Sequence, residues 1–398
     1  MGPTDSPALR CRSHSWRYVS LLALMTSCRP PSQDADTKPD YVSTIGWIVE
    51  TTPDLVIAPE DVSLAGQVTF RHAVQRRDGQ MVVVDGNSGH LMRFGTDGRF
   101  VGMFGPNTGD SQSFGEVSRL VLLRGDSVAL YDREKGLFQL DPTGRLIDQV
   151  EPFDFPATEI VGRLSSGRLI ATRYQSTVPM RPRSFQRPIA VLLGLDDRGR
   201  WPDSLGAFPG TQFVRLVDAP LLTLAILPQL LIAVSEQSVY VSTGERFEIE
   251  RIDVNEQTRR TFARDAMPEI LTVDAVLEAV RGTRVGQITT RERLPPIPEG
   301  QRVPAISALI VDDEGNLWAA EYTKSVSEEV VWWVVNPTRG FIGSIATPKG
   351  LRVVQIGGDF VLGFWGSDIA HRQIHRYRLV RGSSRRSARS PRSDAVPE

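Results

Sequence analysis

The stretch Arg77-Asp78-Gly79-Gln80-Met81-Val82-Val83-Val84-Asp85 decides the fold, because its pattern recurs along the chain. A short turn that contains glycine is followed by an apolar strand that ends in a polar residue. Glycine supplies the positive φ that tight hairpins need, so each copy predicts a β-hairpin. Further copies start at the turns around Gly125, Gly167, Gly315 and Gly357-Gly358, and a copy without glycine starts at Ser235-Glu236-Gln237.

A third apolar strand, and in most copies a fourth, follows each hairpin. In the first unit, residues 90–94 form the third strand and residues 100–104 the fourth, separated by the turn Thr96-Asp97-Gly98-Arg99. Val, Ile, Leu, Phe and Trp dominate these strands, and they suit a pleated buried surface. Repetition at about 40 residues indicates a radial or stacked architecture. Six units predict an all-β fold, a six-bladed β-propeller with one short inserted helix.

The last unit shows only three strands, while a strand-like piece at residues 45–56 precedes the first unit. We expect this piece to pair with residues 373–380 as the outer strand of the last blade. That pairing would close the ring and remove an open sheet edge.

The inserted helix is predicted at about residues 268–282, between the fourth and fifth units. Apolar residues recur there at helical spacing, with Pro268 at the start and Gly282 at the end. Long insertions in repeat proteins often decorate the binding face. A cap over an otherwise exposed blade is the alternative.

Residues 1–28 have the pattern of a secretory signal peptide. Three arginines precede a short apolar run at residues 18–25, which is far below the roughly 20 residues that a membrane span needs. Met25-Thr26-Ser27-Cys28 resembles the bacterial lipobox, although Met25 stands where Leu is usual. This resemblance implies cleavage before Cys28 and a lipid on its thiol, so that the protein is anchored to a membrane of the bacterial cell envelope. An ordinary signal with an incidental cysteine is the alternative.

The rest of the chain divides into three parts. Residues 29–40 are rich in Pro, Ser, Asp and Lys and predict a flexible tether. Residues 41–381 form the propeller, and residues 382–398 have the composition of a disordered tail. The 46 basic and 47 acidic residues nearly cancel, so the overall charge does not favour nucleic acid as a partner.

Recognisable catalytic motifs are absent from the sequence. It contains no Gly-rich phosphate loop, no Gly-x-Ser-x-Gly, no His-Glu-x-x-His and no cysteine pair with metal-ligand spacing. The sequence therefore predicts no catalytic residue, no metal and no cofactor.

The polar candidates for the central channel lie on the first strand of three units. They are Arg71, Arg119, Glu159 and Arg163. Arginines favour an anion or a partner's carboxylate over a divalent metal, because guanidinium groups pair with carboxylates and repel cations. Local pairing of these arginines with acidic neighbours is the alternative.

Several segments resemble bacterial six-bladed β-propeller lipoproteins of the NHL-like kind, over residues 45–381. They are Asp313-Glu314-Gly315-Asn316-Leu317-Trp318, Val331-Trp332-Trp333-Val334-Val335, Gly350-Leu351-Arg352-Val353 and Arg376-Tyr377-Arg378-Leu379-Val380. The resemblance implies the propeller fold but not a function. A membrane-tethered binding or scaffold module, with an envelope protein or glycan as ligand, is the favoured function. The alternative is a metal-dependent hydrolase or lyase of the propeller lactonase or amidating-lyase type, which needs several acidic, Asn or His side chains at one end of the channel.

Overall fold

A computed structural model describes residues 44–62, 67–105, 114–151, 158–175, 183–197, 200, 203–216, 221–281, 283, 291–325 and 328–382. The predicted signal peptide, Cys28, the tether and residues 383–398 of the predicted tail lie outside these residues.

The first half of the described chain forms two short strands and three four-stranded antiparallel sheets. The short strands are β1 (Ile48–Val49) and β2 (Leu55–Ile57). Blade 1 contains β3 (Phe70–Gln75), β4 (Met81–Asp85), β5 (Leu91–Phe94) and β6 (Phe100–Phe104). Blade 2 contains β7 (Val117–Leu122), β8 (Val128–Asp132), β9 (Gly136–Leu140) and β10 (Leu146–Val150). Blade 3 contains β11 (Thr158–Arg163), β12 (Leu169–Tyr174) and, after a separate β13 (Ser184–Gln186), β14 (Ile189–Leu195) and β15 (Asp203–Pro209).

The second half adds four further sheets and the helix. Strands β16 (Phe213–Arg215) and β17 (Leu221–Thr223) form a small sheet with β13. Blade 4 contains β18 (Leu231–Val234), β19 (Ser238–Ser242), β20 (Glu248–Asp253) and β21 (Arg259–Ala263), and α1 (Val273–Arg281) follows it. Blade 5 contains β22 (Ile306–Val311), β23 (Leu317–Glu321), β24 (Val330–Asn336) and β25 (Gly340–Thr347). Blade 6 contains β26 (Leu351–Ile356), β27 (Phe360–Trp365) and β28 (Gln373–Val380), to which β1 and β2 are added.

The predicted closure by the N-terminal segment is present in the structure. Strand β1 pairs antiparallel with β28, with Ile48 opposite Val380, and β2 pairs with the same strand, with Leu55 opposite Arg376. Both ends of the propeller therefore contribute to blade 6, and the edge of β28 is covered.

The second strands of the blades are apolar over most of their length and end in polar residues, and both of their faces are buried. In β4, Met81 and Val83 pack in the core between blades 6 and 1, whereas Val82 and Val84 pack in the core between blades 1 and 2. Each blade takes part in two such cores, one on either side. A strand buried on both faces reads as a continuous apolar run rather than as an alternating one.

The first strands of neighbouring blades contact one another around a ring. Strand β3 contacts β7, β11 contacts β18, β18 contacts β22, β22 contacts β26, and β26 returns to β3. Blades 2 and 3 are joined by the hydroxyl of Tyr131, which donates to the carbonyl oxygen of Thr158 across 3.1 Å. This arrangement of small antiparallel sheets is a β-propeller, as the sequence predicts.

The repeated glycine has the backbone conformation that the hairpin pattern requires. Gly79 and Gly167, at equivalent turns of blades 1 and 3, have φ values of 80° and 89°. An L-residue rarely adopts this conformation, which explains why the turn keeps glycine in most units.

The inserted helix is shorter than predicted and begins at Val273 rather than near Pro268. Residues 269–271 are extended instead: the amide of Leu271 donates to the carbonyl oxygen of Gln301, and the amide of Val303 donates to that of Glu269. Thr272 caps the helix, since its Oγ1 accepts from the amide of Ala275 at 3.2 Å. Within the described ranges, no helix combines the length and the apolar character needed to cross a membrane.

Candidate functional site

All six first strands begin at the same end of the central channel, which we call the mouth. In an antiparallel blade, the connections from the second to the third strand and from the fourth strand to the next blade lie at this same end. Strand β13 is inserted between the second and third strands of blade 3. Strands β16 and β17 lie in the connection from blade 3 to blade 4, and α1 lies in the connection from blade 4 to blade 5. These elements share one small core that includes Val214, Leu227, Val276 and Val280. The insertions therefore all lie at the end of the propeller where the mouth is.

β-Bulges shape the first strands at the mouth. The register between β3 and β4 shifts between Phe70 and His72, which leaves Arg71 without a partner across the ladder. A similar shift in blade 2 precedes Arg119. Bulges bend a strand and re-aim its side chains, and they are frequent next to functional sites. The Arg71 guanidinium lies 3.4 Å from Oε1 of Glu116, which it shares with Arg133 at the same distance.

His72 lies among three arginines that belong to three different blades. Its Nε2 is 3.1 Å from the carbonyl oxygen of Val117, so this nitrogen donates a hydrogen bond to the next blade. The pKa of His72 is lowered from 6.5 to about 4. Burial is the main cause, the hydrogen bond to Val117 opposes it, and repulsion from Arg71, Arg352 and Arg119 adds to it. The imidazole is consequently neutral at pH 7 and is a weak base.

Arg352 of β26 and Arg372, just before β28, form the blade 6 side of the mouth. Both guanidinium groups lie over the ring of Phe364, at 5.2 and 5.5 Å from its centroid. Burial, and secondly repulsion from Arg372, lower the pKa of Arg352 to about 10. The Arg352 side chain is nevertheless exposed to solvent. A side chain in a channel can be exposed in this way while protein surrounds it on most sides. Among the residues that the structure describes, neither arginine forms an ion pair with a carboxylate.

Arg119 and Glu159 complete the cluster from blades 2 and 3. The Arg119 guanidinium donates to the carbonyl oxygen of Val161 across 2.7 Å. Burial lowers the pKa of Arg119, and the negative charge of Glu159 partly offsets that effect. Of the four residues selected from the sequence, Arg71 and Glu159 lie near the mouth ends of their strands, together with His72, Arg352 and Arg372. The Arg119 guanidinium reaches Val161 in the middle of β11.

Arg163 lies apart from Glu159, although it lines the same small cavity as Arg119. It is four residues beyond Glu159 on β11, which corresponds to about 13 Å along an extended strand. Its Nε donates to the carbonyl oxygen of Gly167 across 3.0 Å, and its guanidinium also donates to Gln139. Arg163 thus bonds locally, but to neutral groups and not to the acidic neighbours of the alternative reading; local pairing with an acidic group is seen for Arg71 and Glu116.

The opposite end of the channel is crossed by the turns that join first and second strands. Arg124 of blade 2 forms a two-pronged ion pair with Glu236 of blade 4, with 2.9 Å between Nε and Oε1. Blade 3 lies between them in the ring, and the amide of its Ser165 donates to the carbonyl oxygen of Glu236. The amide of Arg77 in blade 1 donates to the carboxylate of Asp126 in blade 2. Contacts between blades therefore bridge this end of the channel.

Two cavities are notable near these features. One of about 550 Å³ is a wide surface depression on the insertions, lined by Arg183, Val273, Arg291, Leu294, Pro295 and Pro296. A second of about 20 Å³ lies between blades 2 and 3 and touches both Arg119 and Arg163. The smaller cavity is mostly apolar and has room for about one water molecule. Neither cavity gathers the charged groups of the mouth.

Metal-ligating residues do not gather in the described ranges: no three His, Cys, Asp or Glu side chains there are placed to hold one ion. Glu116 and Glu159 both have arginine neighbours, and the carboxylates of Asp132 and Glu134 lie beside Gly115 at the same end. The arrangement is suited to holding negative charge, because its donors are guanidinium groups with fixed positions.

Comparison with solved structures finds similar chains at low sequence identity. A member of the DUF4221 family from Bacteroides vulgatus has 9% identity and a TM-score of 0.49, with 84% of this chain and 99% of that chain covered. A protein from Bacteroides fragilis that is predicted to be exported has 12% identity and a TM-score of 0.46, with 86% and 97% covered. Virginiamycin B lyase from Staphylococcus aureus has 8% identity and a TM-score of 0.40, with 84% and 99% covered.

Similarities this weak carry no activity from these proteins to the present chain. No protein-family model and no curated protein matches the sequence.

Proposed function

We propose that this protein is a lipid-anchored β-propeller of the bacterial cell envelope that binds a ligand at the mouth of its channel and does not transform it. The observation that carries this proposal is the convergence of Arg71, Arg119, Arg352 and Arg372 at the end of the channel that also bears the insertions. Fixed cations at an open, concave end of a rigid scaffold favour recognition of a ligand with negative charge.

The lipid anchor is the second part of the proposal. The lipobox-like Met25-Thr26-Ser27-Cys28 supports attachment at Cys28, and an envelope protein or glycan is the class of partner that such a location offers. We expect Cys28→Ala to leave the protein unlipidated, either in the soluble fraction or as an uncleaved precursor. Mass spectrometry of the mature wild-type protein would reveal the diacylglycerol on Cys28, and a free thiol at that position would contradict the anchor.

Binding without turnover is tested on the full chain purified from its own envelope. Native mass spectrometry should detect a non-covalent ligand on the wild type and on Arg99→Gln, whose exposed side chain lies on a turn of the outer part of blade 1. The double variant Arg352→Gln/Arg372→Gln should lose that ligand. An equal amount of ligand on all three proteins, or none on the wild type, would refute the mouth as the binding site.

A further inference from the structure

The arginines that surround His72 have few carboxylate partners of their own. Arg71 and Arg133 share the single carboxylate of Glu116. Arg119 has Glu159 as its nearest negative charge, and its hydrogen bond goes to a carbonyl oxygen. In the described part of the chain, Arg352 and Arg372 have no carboxylate partner.

This uncompensated charge is partly buried, which makes it costly without a counterion. Burial lowers the pKa of Arg119, Arg352 and Arg372, which means that the surrounding protein disfavours their charged forms. Buried charges in proteins are normally paired, and an unpaired one destabilises the fold. Such an arrangement persists where it serves binding.

Arg352 and Arg372 are also held in position before any ligand arrives. Arg352 is opposite Phe364 in the register of β26 and β27, and Arg372 approaches the same ring from the start of β28. Phe364 is only 1% exposed, so its ring is a fixed platform. Two guanidinium groups fixed against one ring can present several N–H donors to one acceptor group.

We infer that the mouth takes a multiply charged oxyanion, bound by Arg352 and Arg372 with Arg119 and His72 close by, and that the ligand carries a phosphate ester or clustered carboxylates. This inference rests on the proposed function and specifies its ligand. The shared chemistry is a compact group of anionic oxygens. Entry is from the mouth, since the Arg124–Glu236 ion pair crosses the other end.

The test is isothermal titration of the full chain with inorganic phosphate and, separately, with citrate, in chloride buffer at constant ionic strength. The wild type should bind at least one of them saturably, and Arg352→Gln/Arg372→Gln should weaken that binding at least tenfold. Arg99→Gln should bind as the wild type does. Preference for phosphate would indicate a phosphate ester, and preference for citrate a polycarboxylate.

Thermal melting of the same proteins shows whether a variant that does not bind is still folded. Without oxyanion, Arg352→Gln should melt at or above the wild-type temperature, because the substitution removes an unpaired charge that Arg372 repels. The bound oxyanion should raise the melting temperature of the wild type more than that of the variant. Absence of binding to both probes, or equal binding by the double variant, would overturn the inference. If a ligand is still retained by the envelope-purified wild type and lost by the variant, the proposed function stands and only the oxyanion class fails.

Discussion

Arg381 donates to Oδ2 of Asp312 across 2.9 Å, and the carboxylate that it reaches has no exposure to solvent. Arg381 directly follows β28 of blade 6, whereas Asp312 directly follows β22, the first strand of blade 5. The arginine also donates to the carbonyl oxygen of Gly357 and lies over the ring of Trp47, 4.5 Å from its centroid. One residue thus joins the C-terminal strand, the N-terminal segment and blade 5.

We expect Arg381→Ala to lower the free energy of unfolding by about 3 kcal/mol, because it leaves the buried carboxylate of Asp312 without its cation. Arg378→Ala, on an exposed side chain of the same strand, should change it by less than about 0.5 kcal/mol. Urea denaturation of both variants measures the difference. Equal effects would mean that the Arg381–Asp312 pair does not stabilise the ring.

The N-terminal clasp offers a test with two adjacent residues. Ile57 is fully buried between blades 6 and 1, whereas the neighbouring Val56 is 44% exposed. Ile57→Ala should cost about 2–5 kcal/mol of stability through lost burial and the cavity left behind, and Val56→Ala should cost about 0.5 kcal/mol or less. A small effect of Ile57→Ala in thermal or chemical unfolding would show that β2 contributes little to closing the propeller.

The hairpins and the closure could be predicted from the sequence, because turn glycines such as Gly79 and an incomplete last unit are visible in it. The sequence also indicated one inserted helix, but it did not indicate which end of the channel carries the insertions. The site was only partly predictable. Arg352 comes close to His72 because the ring closes between blades 6 and 1, a relationship that no local pattern contains. Arg163 was grouped with Glu159 because both lie on β11, but strand geometry places them at different ends of it.

Metal removal should leave the protein unchanged. We expect that dialysis against EDTA does not alter the melting temperature and that elemental analysis finds no stoichiometric metal, because the cationic mouth repels divalent ions. A calcium or zinc ion retained at one per chain, and required for ester or lactone cleavage, would instead support the metal-dependent hydrolase or lyase.

The stability of the protein should fall as the pH decreases from 6.5 towards 4, in part because of His72. In that window the unfolded chain protonates this histidine while the folded chain, with its pKa lowered to about 4, does not. Protonation therefore favours unfolding. The contribution of the neutral His72 to the free energy of unfolding is fully present above pH 6.5 and is lost by about pH 4. The full shift corresponds to about 3 kcal/mol as an upper estimate. In urea denaturation at pH 7 and pH 4.5, His72→Gln should lose less stability between the two pH values than the wild type. An identical loss in both proteins would rule out His72 as a contributor.

The most direct measurement of the central claim, an anion site at the mouth, is the pKa of His72 with and without an oxyanion. The chain has five histidines, so NMR of histidine-labelled protein with His72→Gln as the reference assigns its signal. Sulfate is a suitable probe because it stays doubly charged over the whole titration, and chloride at equal ionic strength is the control. The account predicts that sulfate raises the pKa of His72 from about 4 by about one unit or more, since a nearby negative charge favours the imidazolium. An unchanged pKa of His72 at saturating sulfate would contradict it.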